Sequence, residues 1–459
     1  MNGIPNDIFD ILDYGKIFKN REVLRYSYIP DSLPHRESEI NTIARILVPS
    51  LHGDVPSNVM IYGMTGTGKT VVAKILMKAL QEKSNIIKEK TLDVFKRASA
   101  EYISEEVTDI LESAEELLEQ EELLGNDLIG SIHKEVKGIY INCQQMDTQY
   151  RVMTQIANRL TNFSPEDRLP VSGLPIDEVH SRLIKRLDDT NSLVIIILDE
   201  VDRLVYKSGD DLLYTLTRIN EELKRSRVSL IGISNNLNIL DYIDNRVKSS
   251  LGAEEMVFQP YNALQLKDIL KNRADEAFYP EAIDDQVVSL CSAIAAQENG
   301  DARKALDILR VSAELAERDH SPKLSTVYVK QAQKKIEMDR VSQVVRSLPM
   351  QSKVVLYSIL KLRMAGRMKT TTREVFEAYK NYTTRLDLTI LGRRQVVNLL
   401  GELDKLGLIQ TKVISFGRHG RTTVIEASIP GNEIITNLHR GLLSKLKGVK
   451  PKVMYKPTF

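Results

Sequence analysis

The octet Gly63-Met64-Thr65-Gly66-Thr67-Gly68-Lys69-Thr70 fits the pattern G-x-x-x-x-G-K-[ST]. Glycines at this spacing let backbone N–H groups turn inward around phosphate oxygens. A helix opening at the lysine adds its partial positive charge. Gly63, Gly66, Thr67 and Gly68 would cradle the phosphates, Lys69 would neutralise the β- and γ-phosphates, and the Thr70 hydroxyl would coordinate Mg²⁺. The ligand implied is ATP, or ADP after hydrolysis. A chance glycine-rich loop is the bland alternative, and the strand before it and the helix after it speak against that.

Asp199 and Glu200 end the most hydrophobic stretch of the chain. A carboxylate at the carboxyl edge of a buried parallel strand points into the ligand crevice. Asp199 would hold Mg²⁺, and Glu200 would orient and polarise the attacking water. Helix-capping acids are the alternative. Asn235 ends a later strand, within reach of a γ-phosphate or of that water, although Asn-Asn is also a turn signal. Arg246, eleven residues on, could complete a neighbouring subunit's site as an arginine finger or could be a surface charge. Arg303 opens a helix and could reach back to the nucleotide, or could be solvated.

The elements that must position these groups alternate. Residues 36–47 read as a helix with Ile40, Ile43, Ala44 and Leu47 on one face. Residues 58–63, 137–143, 192–200 and 227–235 read as strands, and 70–81 and 150–160 as helices. The third strand is continuously apolar, as expected of one covered on both faces. Strands alternating with helices imply a parallel α/β sheet. Residues 259–338 are wholly helical in pattern. From 341 helices give way to two short strands flanking residues 417–420.

Composition places few limits at chain level. The 459 residues carry 63 Lys+Arg against 62 Asp+Glu, a net charge of +1, with 42% hydrophobic residues. That fits about three soluble domains with real cores. The apolar run 193–198 is far too short to span a membrane, and acids among the first residues argue against a signal peptide. Cys143 and Cys291 are too few for a disulfide framework, so a cytoplasmic, reduced location is expected. No histidine or cysteine spacing suggests zinc.

Segment by segment the charge is uneven. Residues 88–135 hold 5 basic and 14 acidic side chains, whereas 341–459 hold 21 basic and 7 acidic, leaving a net of −4 elsewhere. A net of +14 over the last segment asks for a polyanion. Its pattern is a helix over 370–380, a second over 391–406, and a hairpin, which is a winged helix. Arg393, Arg394 and Asn398 would enter a major groove. Arg418 and Arg421 at the wing would reach phosphates or a minor groove. Winged helices also serve protein contacts, but the charge favours DNA. In the acidic segment Ile103, Val107, Ile110, Ala114, Leu117 and Leu124 keep a narrow helical stripe, broken at Glu121. It reads as a solvated helical hairpin, or as an arm that docks a partner or shields a basic surface.

The runs YIPDSLPHRESEI, YGMTGTGKT, IIILDEVDRL, ISNN, DNRVKSSL, GDARKALDILR and FGRHGRTT occur in one order. Together they resemble the archaeal replication initiators related to origin-recognition-complex and cell-division-control subunits, over about residues 17–428. The resemblance implies an α/β AAA+ core with a P-loop and parallel sheet over 1–258, with the acidic insertion inside it. It implies a helical lid over 259–340 and a winged-helix domain over 341–459. It implies Lys69 and Thr70 as the Walker A pair, Asp199 and Glu200 as Walker B, Asn235 as sensor 1, Arg246 as the arginine finger and Arg303 as sensor 2. Pro30, His35 and Arg36 lie in a run resembling the part that closes over adenine. A DNA-touching element is implied within 146–175, with Arg159 and Arg168 as candidates.

Implied partners are double-stranded origin DNA, the MCM helicase and another initiator subunit on DNA, with no membrane. Slow, switch-like ATP hydrolysis is implied too. A nucleotide-switched transcription regulator that loads no helicase would use the same motifs. The family's short connection before the 137–143 strand is replaced here by the acidic segment, about which the resemblance says nothing.

Overall fold

Five strands make one parallel sheet: Val59–Gly63 (β1), Val136–Asn142 (β2), Leu193–Asp199 (β3), Arg227–Ser234 (β4) and Glu254–Phe258 (β5). Their order is β2-β3-β4-β1-β5. The structure is a computed structural model and describes residues 17–30, 32–106, 134–160, 168–415, 421–429, 431–438 and 446. Two compact units divide between Val329 and Lys330.

Period-2 alternation sorts the sheet residues between two cores. Val194, Ile196 and Leu198 of β3, with Met60 and Tyr62 of β1, face one layer of helices. These are Gln149–Arg159 (α3), Ile176–Asp189 (α4), Val201–Ser208 (α5), Asp211–Arg218 (α6) and Asn245–Leu251 (α7). Ile195, Ile197, Val59 and Ile61 face the other layer, with Glu37–Leu47 (α1) and Lys69–Glu106 (α2). Every residue of β3 is buried. Each such Leu, Ile or Val side chain contributes about 1.5–3 kcal/mol relative to exposure. The edge strand β5 is mostly exposed and carries Glu254 and Glu255. Its charge kept it from reading as a strand.

Register brings the functional ends together. Asp199 lies level with Asn142 and Ile233, and Tyr62 level with Ser234. The loops after β1, β3 and β4 therefore open onto one crevice at the carboxyl edge of adjacent strands.

One helix differs from expectation. The helix placed over 70–81 continues to Glu106, 38 residues in all, or about 57 Å at 1.5 Å per residue. No glycine or proline interrupts it, so nothing ends it where the acidic segment begins. Residues 88–106 of that segment prolong the phosphate-loop helix, and the return arm of the expected hairpin lies outside the described residues. Its stripe residues from Val107 to Leu124 lie outside the described residues.

After β5 the chain is helical: Ala263–Ala277 (α8), Asp285–Gln297 (α9), Ala302–Arg318 (α10) and Thr326–Ser347 (α11). The segment 17–28 straps onto these helices. Phe18 pairs with Phe278 at 5.1 Å between ring centroids, Lys19 N donates to Ala277 O at 2.8 Å, and Arg21 bridges to Glu317. Helix α11 crosses the 340/341 boundary expected from sequence without a break.

The second unit packs Met350–Met364 (α12), Thr372–Arg385 (α13) and Arg393–Lys405 (α14) against a three-stranded sheet. The strands are Thr370–Thr371 (β6), Ile409–Ser415 (β7) and Arg421–Ala427 (β8), in the order β6-β8-β7. A short helix, Gly431–Leu438 (α15), follows. The expected helix at 370 begins at Thr372 because Thr371 caps it, its hydroxyl accepting from Glu374 N. Tyr379 is fully buried, and its hydroxyl accepts from Leu391 N at 3.1 Å, which fixes the turn into α14.

Candidate functional site

The loop after β1 curls around the Lys69 side chain. Lys69 Nζ donates to Gly63 O and Met64 O, each at 2.7 Å, and to Asn235 Oδ1 at 3.0 Å. Among the described residues this buried ammonium has only neutral acceptors as direct partners. Burial pushes Lys69 down to about 8; Asp199 opposes that shift and Arg303 adds to it. A phosphate would supply the anion that these carbonyls replace. Gly66 has φ +73°, and a β-carbon there would overlap the Asp301 carboxylate. Gly63 has φ +154°, with Phe258 O only 2.6 Å from where a β-carbon would sit. Both positions require glycine.

Beside the loop, Thr70 Oγ1 donates to Asp199 Oδ2 at 2.8 Å. The same carboxylate oxygen accepts from Tyr140 of β2 at 2.7 Å. Burial first, and then Asp199, raise the Tyr140 phenol above its ordinary range. Lys74 of α2 stands over the Tyr140 ring at 4.1 Å. The pair Thr70 and Asp199 offers adjacent hard oxygens, the donor type that Mg²⁺ takes alongside phosphate and water. Among the described residues no cluster of three His, Cys, Asp or Glu could hold a metal by itself. A divalent ion here would therefore share its shell with a phosphate.

Glu200 follows with φ +56°, a left-handed conformation that side chains other than glycine rarely adopt. Burial, then Asp199 and Asp202, raise its carboxyl above the ordinary value. Asp202 Oδ1 accepts from Asn235 N at 3.3 Å and so fixes the turn after β4. Lys69 with Asn235 and Thr70 with Asp199 thus form two hydrogen-bonded pairs on successive residues, and Glu200 N bonds Asp199 Oδ1 beside them.

The helical segment closes over this cluster. Asp301 caps α10 through Arg303 N at 2.8 Å, Ala302 N donates to Gly66 O at 3.2 Å, and Asp301 Oδ2 lies 3.4 Å from Thr65 Oγ1. Arg303, in the first turn of α10, lines a cleft with Gly66, Gly68 and Thr70, and its charge reaches both Lys69 and Glu200. The lining also includes Tyr28, Leu33, Tyr261, Ile269 and Arg273, with Leu33 and Tyr261 against Gly68.

Of the run expected near adenine, Leu33 lines the cleft. Arg36 is buried behind the loop, where Nε donates to Thr67 O at 3.0 Å and Nη2 to Gln259 O at 2.5 Å. Its guanidinium stands 4.0 Å over the Tyr261 ring. His35, at φ +65°, bonds Asp268 of α8 through Nε2 at 2.8 Å. Pro30 is half-buried just before it. Strap residues Arg25, Tyr26 and Tyr28 line the cleft as well. Arg246 is not brought to the cluster. It is exposed on α7, with Nε 3.3 Å from Asp244 Oδ1.

Sequence reasoning missed Tyr140, Asp202, Asp301, Tyr261 and Arg273. Asp301 had a signal, an acid directly before a helix start. The others carry no local pattern.

In the second unit Arg393, Arg394, Val397 and Asn398 share the exposed face of α14, while Val396, Leu400 and Leu403 face the core. Arg421 opens β8, and Arg418 lies outside the described residues. In the first unit, Arg159 donates to Tyr140 O, and Arg168 is exposed. The segment from Leu169 to Leu174 is tied to α3 through Asn158 and Tyr150. Both cysteines are buried thiols, each pushed up to about 12 by burial. No helix among the described residues is long and apolar enough to cross a membrane.

Comparison with known proteins accounts for each part. Residues 54–240 match the family described as AAA domain, 267–334 the Cdc6 AAA+ ATPase-type lid domain, and 343–437 the CDC6 C-terminal winged helix domain. An ORC1-type DNA replication protein of Pyrococcus horikoshii is 46% identical over 419 residues, covering 91% of this chain and 89% of that one. ORC1-type DNA replication protein 1 of Methanosarcina acetivorans is 43% identical over 448 residues, covering 97% and 95%. The solved structure of the Aeropyrum pernix ORC1 protein in complex with DNA superposes with a TM-score of 0.69 at 40% identity, covering 94% of this chain and 99% of that one.

Proposed function

Since the chain belongs to the family of archaeal ORC1-type, Cdc6-like DNA replication proteins, we propose that it is an ATP-binding and hydrolysing replication initiator. In this reading it binds double-stranded origin DNA and recruits the MCM helicase. The observation that carries the nucleotide half is the pairing of Lys69 with Asn235 and of Thr70 with Asp199 beside the phosphate loop, with Arg303 lining the same cleft from α10. The relative solved with DNA and the exposed basic face of α14 support the DNA half. Functionally the chain then divides into a core over 1–258, a lid over 259–340 and a DNA-binding module over 341–459.

Lys69 turns from loop carbonyls to the β- and γ-phosphates when they enter. Thr70 and Asp199 would hold Mg²⁺, which would supply charge neutralisation on the phosphates. Glu200, kept at the rim by its left-handed backbone, orients water for in-line attack, with Asn235 sharing that contact. Arg303 joins the phosphates to α10, so occupancy and lid position become linked. Arg246, exposed in its own chain, serves a neighbouring initiator subunit's site. Hydrolysis is slow, resetting a switch. Arg393, Arg394 and Asn398 read a major groove, with the wing residues Arg418 and Arg421 on backbone or minor groove, and Arg168 is offered from the first unit.

The test is binding of origin and random duplexes across salt with ATP or ADP, together with helicase recruitment to the bound origin. Preference for origin DNA that survives at high salt, and recruitment only with initiator present, support the reading. Equal affinity for both duplexes at every salt concentration removes the origin claim.

A further inference from the structure

On the α8 side of the nucleotide cleft stands a buried cation with an unused donor. Arg273 of α8 is 8% exposed, and its Nη1 is buried with no hydrogen-bond partner among the described residues. Its guanidinium lies 4.7 Å from the centre of the Tyr28 ring, and the Tyr28 hydroxyl donates to Glu276 Oε2 at 2.9 Å. Burial lowers the Arg273 guanidinium from its usual value, with Tyr28 and Glu276 opposing. An unpaired buried donor on a guanidinium is costly and rare.

Its place in the cleft is set by its contacts. Helix α10 is bonded to the phosphate loop, Ala302 N to Gly66 O at 3.2 Å, so Arg303 in its first turn stands with Lys69 at the phosphate end. Arg273, on α8, stands against the Tyr28 ring instead. Near Arg273 the lining includes Tyr28, Ile269 and Leu306, aromatic and apolar, as suits a purine ring and its sugar.

We propose that Arg273 donates through Nη1 to the nucleoside half of the bound nucleotide, at a ribose oxygen or a purine ring nitrogen. This deepens the nucleotide reading of the site and rests on it. The contact makes α8 a reader of the nucleoside, while α10 reads the phosphates through Arg303. A ligand with phosphates alone fills one end and leaves α8 unsatisfied.

The test is calorimetric binding of ADP and of inorganic tripolyphosphate, both with Mg²⁺, to the whole chain and to Arg273→Met and Arg273→Lys. Arg273→Met should bind ADP roughly 10- to 100-fold more weakly, the loss expected for one hydrogen bond to a charged donor. Tripolyphosphate binding should stay within about two-fold of the unsubstituted chain, because it makes no nucleoside contact. Arg273→Lys should recover only part of the loss, since an ammonium lacks the planar fork. Unchanged ADP affinity overturns the proposal. So does an equal fall for both ligands, which assigns Arg273 to phosphate contact or, if Tm also drops, to packing. If the unsubstituted chain binds neither ligand, the nucleotide reading fails and the proposal with it. If it binds ADP and Arg273→Met does too, only the proposal fails.

Discussion

Thr70 and Asp199 are joined by a 2.8 Å hydrogen bond from Oγ1 to Oδ2, and Tyr140 donates to that same oxygen at 2.7 Å. The phosphate loop is thereby tied to the strand two places away in the sheet before any ligand enters. Tyr140→Phe removes one of the two donors and leaves the carboxylate freer to rotate. The expected result is a several-fold rise in the Mg²⁺ concentration needed for half-maximal ATP hydrolysis. The stability loss should be about 1 kcal/mol by denaturant titration. An unchanged Mg²⁺ dependence would confine Tyr140 to packing.

Lys69 gives a pH signature. Its pKa in the folded chain is about 8, below the ordinary 10.5. The folded state thus binds fewer protons than the unfolded state between these values, so this group's contribution to stability rises with pH across that window. Below pH 8 the buried charge is carried without an anionic partner in direct contact. Phosphates supply that partner and restore the proton. ADP binding near pH 8.5–9 should therefore take up a proton, seen as a dependence of calorimetric heat on buffer ionisation enthalpy. Near pH 6.5 that dependence should vanish for this group.

Glu200 combines a raised carboxyl pKa with a left-handed backbone at φ +56°. Glu200→Gln should cut ATP turnover by about 10²- to 10⁴-fold while nucleotide still binds. Glu200→Gly should abolish turnover equally, yet raise unfolding stability by up to about 1 kcal/mol, because strain at this position is relieved. Differential scanning calorimetry beside a phosphate-release assay separates the two effects. A glycine variant less stable than the glutamine variant would contradict the strain argument.

Arg393 and Arg394 present two cations on the exposed face of α14. If both meet phosphates, replacing them with alanine should flatten the slope of log affinity against log salt by roughly 1.8. If either reads a base edge, the loss should instead concentrate on origin sequence, at about 1–3 kcal/mol per contact. Fluorescence anisotropy with origin and random duplexes distinguishes these outcomes. No change on either duplex would remove α14 from the DNA interface.

Legibility from sequence followed the local physics. The continuous apolar run of β3 and the glycine spacing of the phosphate loop are short-range signals, and both were placed within a residue. Asn235 was read as the end of a strand, and it stands at the first position past β4, bonded to Lys69. β5 was not foreseen because two of its five residues are glutamates, tolerable on an exposed edge but unlike a buried strand. The helix expected over 70–81 is shorter than α2, which runs on to Glu106 through the change in charge. Charge does not end a helix; glycine, proline or a cap does. Tyr140 and Arg273 matter only through neighbours far along the chain, so no window on the sequence reveals them. The role of Arg36 behind the loop is of the same kind, resting on Gln259 and Tyr261.

The central claim is that this chain marks replication origins. Genome-wide footprinting of the protein in cells, aligned with nascent-strand start sites, tests it most directly. The account predicts occupancy confined to one or a few sites that coincide with replication starts. That occupancy should be lost when Arg393 and Arg394 are replaced by alanine. Occupancy spread over promoters, with no coincidence with replication starts, would contradict it.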